Sequence, residues 1–162
     1  MHYLTQLSFS KLLFLITAFL ITSIIGFFLI DLFTINPLNM SGNGNVGIIP
    51  MIFALPSYAA FTIFISTFSY KILQYFTKKW ALLALLFIFI LFVSIANELL
   101  VFTNALITHL GGGPNEPNSL IYQYGWFNQY TNTLYFNWFT FNIGVYLAVI
   151  ISCILRLGKT NT

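Results

Sequence analysis

Four long apolar runs separated by short polar punctuation make up the chain, and its six basic and three acidic residues fall mostly at the ends of those runs. Leu12 to Ile30 carries no charge and is long enough, at about 1.5 Å per helical residue, to cross a hydrocarbon core of about 30 Å. With the polar turn that follows, the first span is placed at 12–33. Asn36-Pro37 and the Ser, Gly and Asn residues up to Asn45 then mark a loop, and a second span is placed at 47–70. Pro50 fits the first turn of that helix, whereas Pro56 lies deeper, where it removes a backbone hydrogen bond and predicts a kink. A third span at 80–107 is interrupted by Asn97-Glu98, and a fourth occupies 134–155. The segments between them are 34–46, 71–79 and 108–133. The pattern predicts an all-α integral membrane protein, a four-transmembrane-helix bundle forming a single membrane domain over 1–162 with no solenoid-length repeat.

Composition agrees with this pattern: 59% of residues are hydrophobic and 6% charged, against about 25% charged in an average soluble chain, too few to cover a water-facing surface. This excludes a disordered tail, a soluble coiled coil and a collagen-like fibre. The net charge of +3 comes from scattered residues and makes no phosphate-tracking stripe, so no nucleic acid is expected as a partner. The lone Cys153 allows neither an intrachain disulfide nor a CxxC redox pair.

Charge placement also predicts orientation. Lys11 precedes the first span, Lys71, Lys78 and Lys79 lie between the second and third, and Arg156 and Lys159 follow the fourth. Alternating crossings put all six on one side, which the retention of Lys and Arg in the cytoplasm makes the inner one. Both termini are therefore expected in the cytoplasm, 71–79 as a cytoplasmic loop, and an aromatic-rich extracytoplasmic loop between helices 3 and 4, in what we expect to be a bacterial plasma membrane. Lys11 and the run after it also resemble a signal peptide, but the run exceeds the usual hydrophobic region and no A-x-A-like site follows, so the span is expected to be retained.

Helices in lipid associate through close packing, which small residues spaced four apart permit. Ala18, Thr22 and Gly26 in the first span, Ala59, Thr62, Ser66 and Ser69 in the second, and Gly144, Ala148 and Ser152 in the fourth are the expected packing faces. The third span carries Ser94, Asn97, Val101, Asn104 and Thr108 at alternating spacings of three and four, a polar seam on one helix face that is expected to meet protein.

Counting about 20 residues from each basic flank places Asp31, Glu98, Phe136 with Asn137, and Met51 at one level near the outer boundary. An ionisable residue there invites a partner, yet no Lys or Arg lies on that side. Asp31, Glu98 and Glu116 are left to be balanced by His109, a cation, protonation or another chain, or simply solvated by headgroups and water. Asp31, Asn97, Glu98, Asn104 and His109 form the candidate polar, ion or partner site. Glu98 and His109 share a face but lie about 16 Å apart along a continuous helix, too far to ligate one metal ion. His2 is expected on the opposite side, so the two histidines cannot clasp one haem. No nucleophile elbow, zinc-protease motif or phosphate loop is present, so no catalytic residue, metal or cofactor is expected, although bound lipid is compatible with the pattern.

Within 108–133, Gly111 to Pro117 reads as a flexible hinge. Tyr122, Tyr124 and Trp126 alternate as on a strand, while Phe127, Tyr130 and Leu134 have helical spacing, so periodicity leaves the conformation open. Tyr122, Tyr124, Trp126, Phe127 and Tyr130 are the candidate interaction loop, either a headgroup anchor or a docking surface. Asn39-Met40-Ser41 is a glycosylation sequon that matters only in a glycosylating compartment. The expected function is that of a non-enzymatic membrane interaction protein: an accessory subunit of a larger complex, or a small regulator or immunity-type protector engaging a partner at the outer leaflet. Its expected partners are membrane lipids and either another membrane protein or further copies of itself. The alternative is a small oligomeric cation transporter or channel using Glu98 and Asp31, with Asn97 beside them. An intramembrane enzyme would have to depend on Glu98 or His109.

Overall fold

The structure, a computed structural model, describes residues 6–39, 42 and 44–159; His2 and the Met40-Ser41 portion of the sequon lie outside them. All regular structure among the described residues is helical: α1 (Phe9–Leu32), α2 (Ile48–Leu73), α3 (Lys78–His109), α4 (Leu120–Tyr124), α5 (Asn132–Tyr135) and α6 (Trp138–Gly158). The first three long helices, and the stretch Asn132–Gly158 that runs from α5 through α6, are each apolar and long enough to cross a membrane, making this a multi-pass membrane protein.

Local chemistry sets the helix ends. Ser8 opens α1 by accepting the Lys11 N–H, and the Thr34 hydroxyl donates to the Ile30 carbonyl at its far end. α2 continues through Pro56 as one helix with the proline ring exposed. α3 has 32 residues, about 48 Å of helix, and so exceeds the hydrocarbon thickness. The last long helix starts at Trp138, later than the residue 134 read from hydropathy. Asn137 and Thr140 form a reciprocal capping box there, which starts a new helix after the short α5.

The long helices pack in the order α1, α2, α6, α3, each extensively against the next, so α3 has α6 as its one broad helical neighbour. Gly26 of α1 lies so close to α2 that an added Cβ would come within 2.5 Å of the Ala54 Cβ. The buried face of α1 is Leu12, Ile16, Ser23, Gly26 and Ile30. Ala18 lies outside it, exposed, and Thr22 satisfies its hydroxyl on the Ala18 carbonyl. Between α2 and α6, Gly144 admits the Tyr58 ring, and the Tyr58 hydroxyl donates to the Phe141 carbonyl at 2.6 Å. Two turns further along, the buried Ser66 and Ser152 hydroxyls lie 2.9 Å apart, with Ala148 buried one turn away. Ala59 is exposed, while Thr62 and Ser69 are half-buried.

At one end of the molecule, hereafter the basic end, Lys71 donates to the Leu7 carbonyl and sits over the Phe9 ring, 4.8 Å from its centroid. Arg156 there donates to the carbonyls of Leu73 and Phe76, each at 3.1 Å, closing the exposed end of α2. At the opposite end the residues after α3 form a folded cap.

Candidate functional site

Three surfaces contain the residues that the sequence singles out. The first is α3. Its half-buried face, including Ala84, Leu85, Leu99, Phe102 and Leu106, repeats with helical spacing. Ala84 and Leu85 pack against a cluster that contains Cys153 and Val149 of α6. Ser94, Asn97, Val101, Asn104 and Thr108 lie on the other side, and all five are exposed. The seam is expected to meet protein; among the described residues no long helix packs broadly on that side of α3. Leu83, Phe87 and Ile90 extend the same stripe toward the basic end, also exposed. The result is a strict alternation of three and four, the spacing of a coiled-coil seam. Thr108 turns its hydroxyl onto the Asn104 carbonyl, but the side chains of Ser94, Asn97 and Asn104 form no hydrogen bond with any described residue. Glu98, exposed beside the seam, likewise has no partner among the described residues.

The second surface is a cleft of about 320 Å³ at the cap end, between α1 and the start of α6, with Phe102 of α3 on its wall. Asp31, Thr133 and Asn137 supply its polar atoms; Phe27, Phe28, Phe136, Trp138, Phe139 and Phe141 supply rings. Phe27 is fixed edge-on against Phe136 at 5.7 Å and Phe141 at 5.2 Å, and Phe102 meets Phe139 at 5.5 Å. Asp31, Phe136 and Asn137, placed at one level by residue counting, thus line one cavity. Glu98 does not line it.

The cap is the third. Where the sequence suggests a flexible hinge, Gly111 and Gly112 adopt positive φ values of 86° and 109°, conformations that suit glycine, and turn the chain sharply. The Glu116 carboxylate then accepts the Gly113 N–H at 2.9 Å, and Ser119 both donates to the Gly113 carbonyl and caps α4. This gives Glu116 a backbone partner. Leu110, Ile121, Tyr130 and Leu134 form a small buried core beneath, joined by Ile35. Tyr122 and Tyr124 lie on or at the end of one helical turn, so their alternation is not that of a strand. Tyr122, Tyr124, Trp126 and Phe127 are exposed, whereas Tyr130 is 4% exposed and belongs to the core of the cap.

His109 ends α3, exposed. Asp31, Asn97, Glu98, Asn104 and His109 therefore do not form one cluster: Asp31 faces the cleft and the others are distributed along α3. No group of three or more His, Cys, Asp and Glu side chains suited to a metal ion occurs among the described residues. Sequence reasoning missed the contribution of Phe102 and Phe139 to the Asp31 cleft; helix pairing, invisible in one helix's periodicity, brings them there. The chain matches no protein-family model, no curated protein and no solved structure.

Proposed function

We propose that this chain is a non-enzymatic interaction subunit of a larger membrane assembly, oriented with its basic end and both termini in the cytoplasm. The observation that carries the reading is the exposed seam of α3. Ser94 and Asn97 present polar side chains without a partner among the described residues on the membrane side of α3, where leaving them unsatisfied is costly. Asn97 lies beside Glu98 at the outer boundary level, and Asn104 continues the same face beyond that level. A second transmembrane helix packed along the seam would satisfy these groups and cover Phe87, Ile90 and Val101 at the same time. Asn97 and Asn104 are seven residues apart, so they meet one partner helix on successive heptads. The exposed aromatic ring of the cap supports the same reading, because Tyr and Trp make strong contacts when desolvated.

Native mass spectrometry of the tagged chain, extracted in mild detergent from its own membrane, tests this reading. Stoichiometric companions of different mass are expected, and they should dissociate when Asn97→Leu and Asn104→Leu are combined. A chain that comes out alone would defeat the reading. One that comes out only with copies of itself would defeat the accessory role and favour transport.

A further inference from the structure

At the Asp31 cleft, two features have the same electrostatic sign. Asp31 is the penultimate residue of α1, and its carboxylate forms no hydrogen bond or ion pair with any described residue. The carbonyl end of α1, the negative end of the helix dipole, closes beside it. The walls are aromatic, a ring having a negative face and a positive edge, and Trp138 stacks one face on Phe141 at 6.2 Å. Trp138, the residue type that binds cations best through its face, is 66% exposed. The Lys and Arg side chains among the described residues all belong to the basic end, so none of them neutralises Asp31. At the start of α6 the Asn137 and Thr140 amides are engaged in the capping box, whereas the Trp138 and Phe139 N–H groups are not part of it, so an anionic amphiphile is the competitor the test has to exclude.

The polar atoms also exclude a hard inorganic ion as the best-fitting occupant, since such ions want about six oxygen ligands. Asn137 has its amide on the carbonyls of Thr133 and Leu134 and its oxygen on the Thr140 N–H, which leaves Asp31 and the Thr133 hydroxyl. An organic cation needs no such shell. The cleft's flank is apolar, with Ile24 and Phe28 exposed along α1, so a hydrocarbon tail can lie against the helix while the charged head reaches Asp31.

We propose that this cleft binds the ammonium head of an amphiphilic organic cation, with Asp31 as its counter-charge, the Trp138 and phenylalanine rings around its N-alkyl groups, and the tail along α1. The inference stands independently of the α3 seam. The shared chemistry, an ammonium on an apolar tail, belongs both to aminolipid headgroups and to free cationic amphiphiles.

Dodecyltrimethylammonium, titrated into the full chain in an uncharged maltoside detergent and followed by calorimetry and by Trp138 fluorescence against a Trp138→Phe control, tests the proposal. Saturable binding is expected, weakened at least about tenfold in Asp31→Asn and retained in Asp31→Glu. Equal binding of dodecyl sulfate or dodecanol by the parent chain would overturn the proposal without requiring any variant to fold. Absence of saturable binding, or an unchanged affinity in a folded Asp31→Asn chain, would overturn it as well. Mass spectrometry of the chain taken from its own membrane separates the two sources. A retained aminolipid displaced by the probe identifies a headgroup site; probe binding without retained lipid identifies a site for free amphiphiles.

Discussion

Asn45 and Asn132 exchange two carboxamide hydrogen bonds, each 2.8 Å long, and thereby tie the turn before α2 to the start of α5. Asn132 is fully buried, and Gly47 lies so close beneath it that a Cβ there would collide with the Asn132 amide. Together with the Ile35 N–H on the Gln129 carbonyl at 2.9 Å, the pair joins two loops that are distant in sequence into one cap. Asn132→Ala would take both of these bonds from the Asn45 carboxamide and should cost about 1 to 3 kcal/mol. Its effect should be local, with faster hydrogen exchange in 110–135 while the basic end is unchanged. Exchange measured in detergent micelles checks this, and uniform acceleration along the chain would show that the pair is not a local clasp.

Tyr58 and Gly144 test the α2–α6 contact in the same way. Tyr58→Phe removes the bond to the Phe141 carbonyl and should cost about 1 kcal/mol. Gly144→Val drives a side chain into the Tyr58 ring and should cost about 1 to 3 kcal/mol. Because the two residues touch, Gly144→Ala combined with Tyr58→Leu should be less damaging than the sum of the single changes. Thermal unfolding of the four chains in one detergent gives the coupling, and strict additivity would contradict the contact.

The spans were legible because a membrane helix is a local matter: an apolar run bounded by charges such as Lys11 and Asp31 specifies its own length. Which side each helix turns to its neighbour was less so. Periodicity groups Ser94, Asn97, Asn104 and Thr108 on one face of α3, but it cannot say that Ala84 and Leu85 take α6 and leave that face outside. Small-residue spacing likewise groups Ala18, Thr22 and Gly26 on one face, but it cannot say that the close approach to Ala54 of α2 comes at Gly26 and leaves Ala18 exposed. The cap was the least legible. Its ties, Asn45 to Asn132 and Ile35 to Gln129, join loops on either side of two spans, and local turn chemistry has no record of them.

The aromatic residues of the cap should separate into two classes. Tyr130 is buried with Leu110, Ile121 and Leu134, so Tyr130→Ala should destabilise the cap by about 3 kcal/mol through the cavity it leaves. Tyr122→Ser and Phe127→Ser alter exposed side chains and should change stability by about 0.5 kcal/mol or less. If the exposed ring is a docking surface, those same mild changes should release copurifying partners. Loss of companions confined to Tyr130→Ala would assign the aromatic ring to membrane anchoring instead.

Orientation can be read from one thiol at a time, because the chain's lone cysteine, Cys153, is buried. In a Cys153→Ala background, Asn115→Cys in the cap and Lys79→Cys at the basic end place exposed thiols at opposite ends of the molecule. The six basic residues would all have to cross if the chain inserted the other way round, which the inner retention of Lys and Arg opposes. A membrane-impermeant maleimide added to intact cells should therefore label Asn115→Cys directly and Lys79→Cys only after permeabilisation. The reverse pattern would invert the topology and place the Asp31 cleft in the inner leaflet. It would leave the packing of α3 on α6, and hence the exposed seam, unchanged.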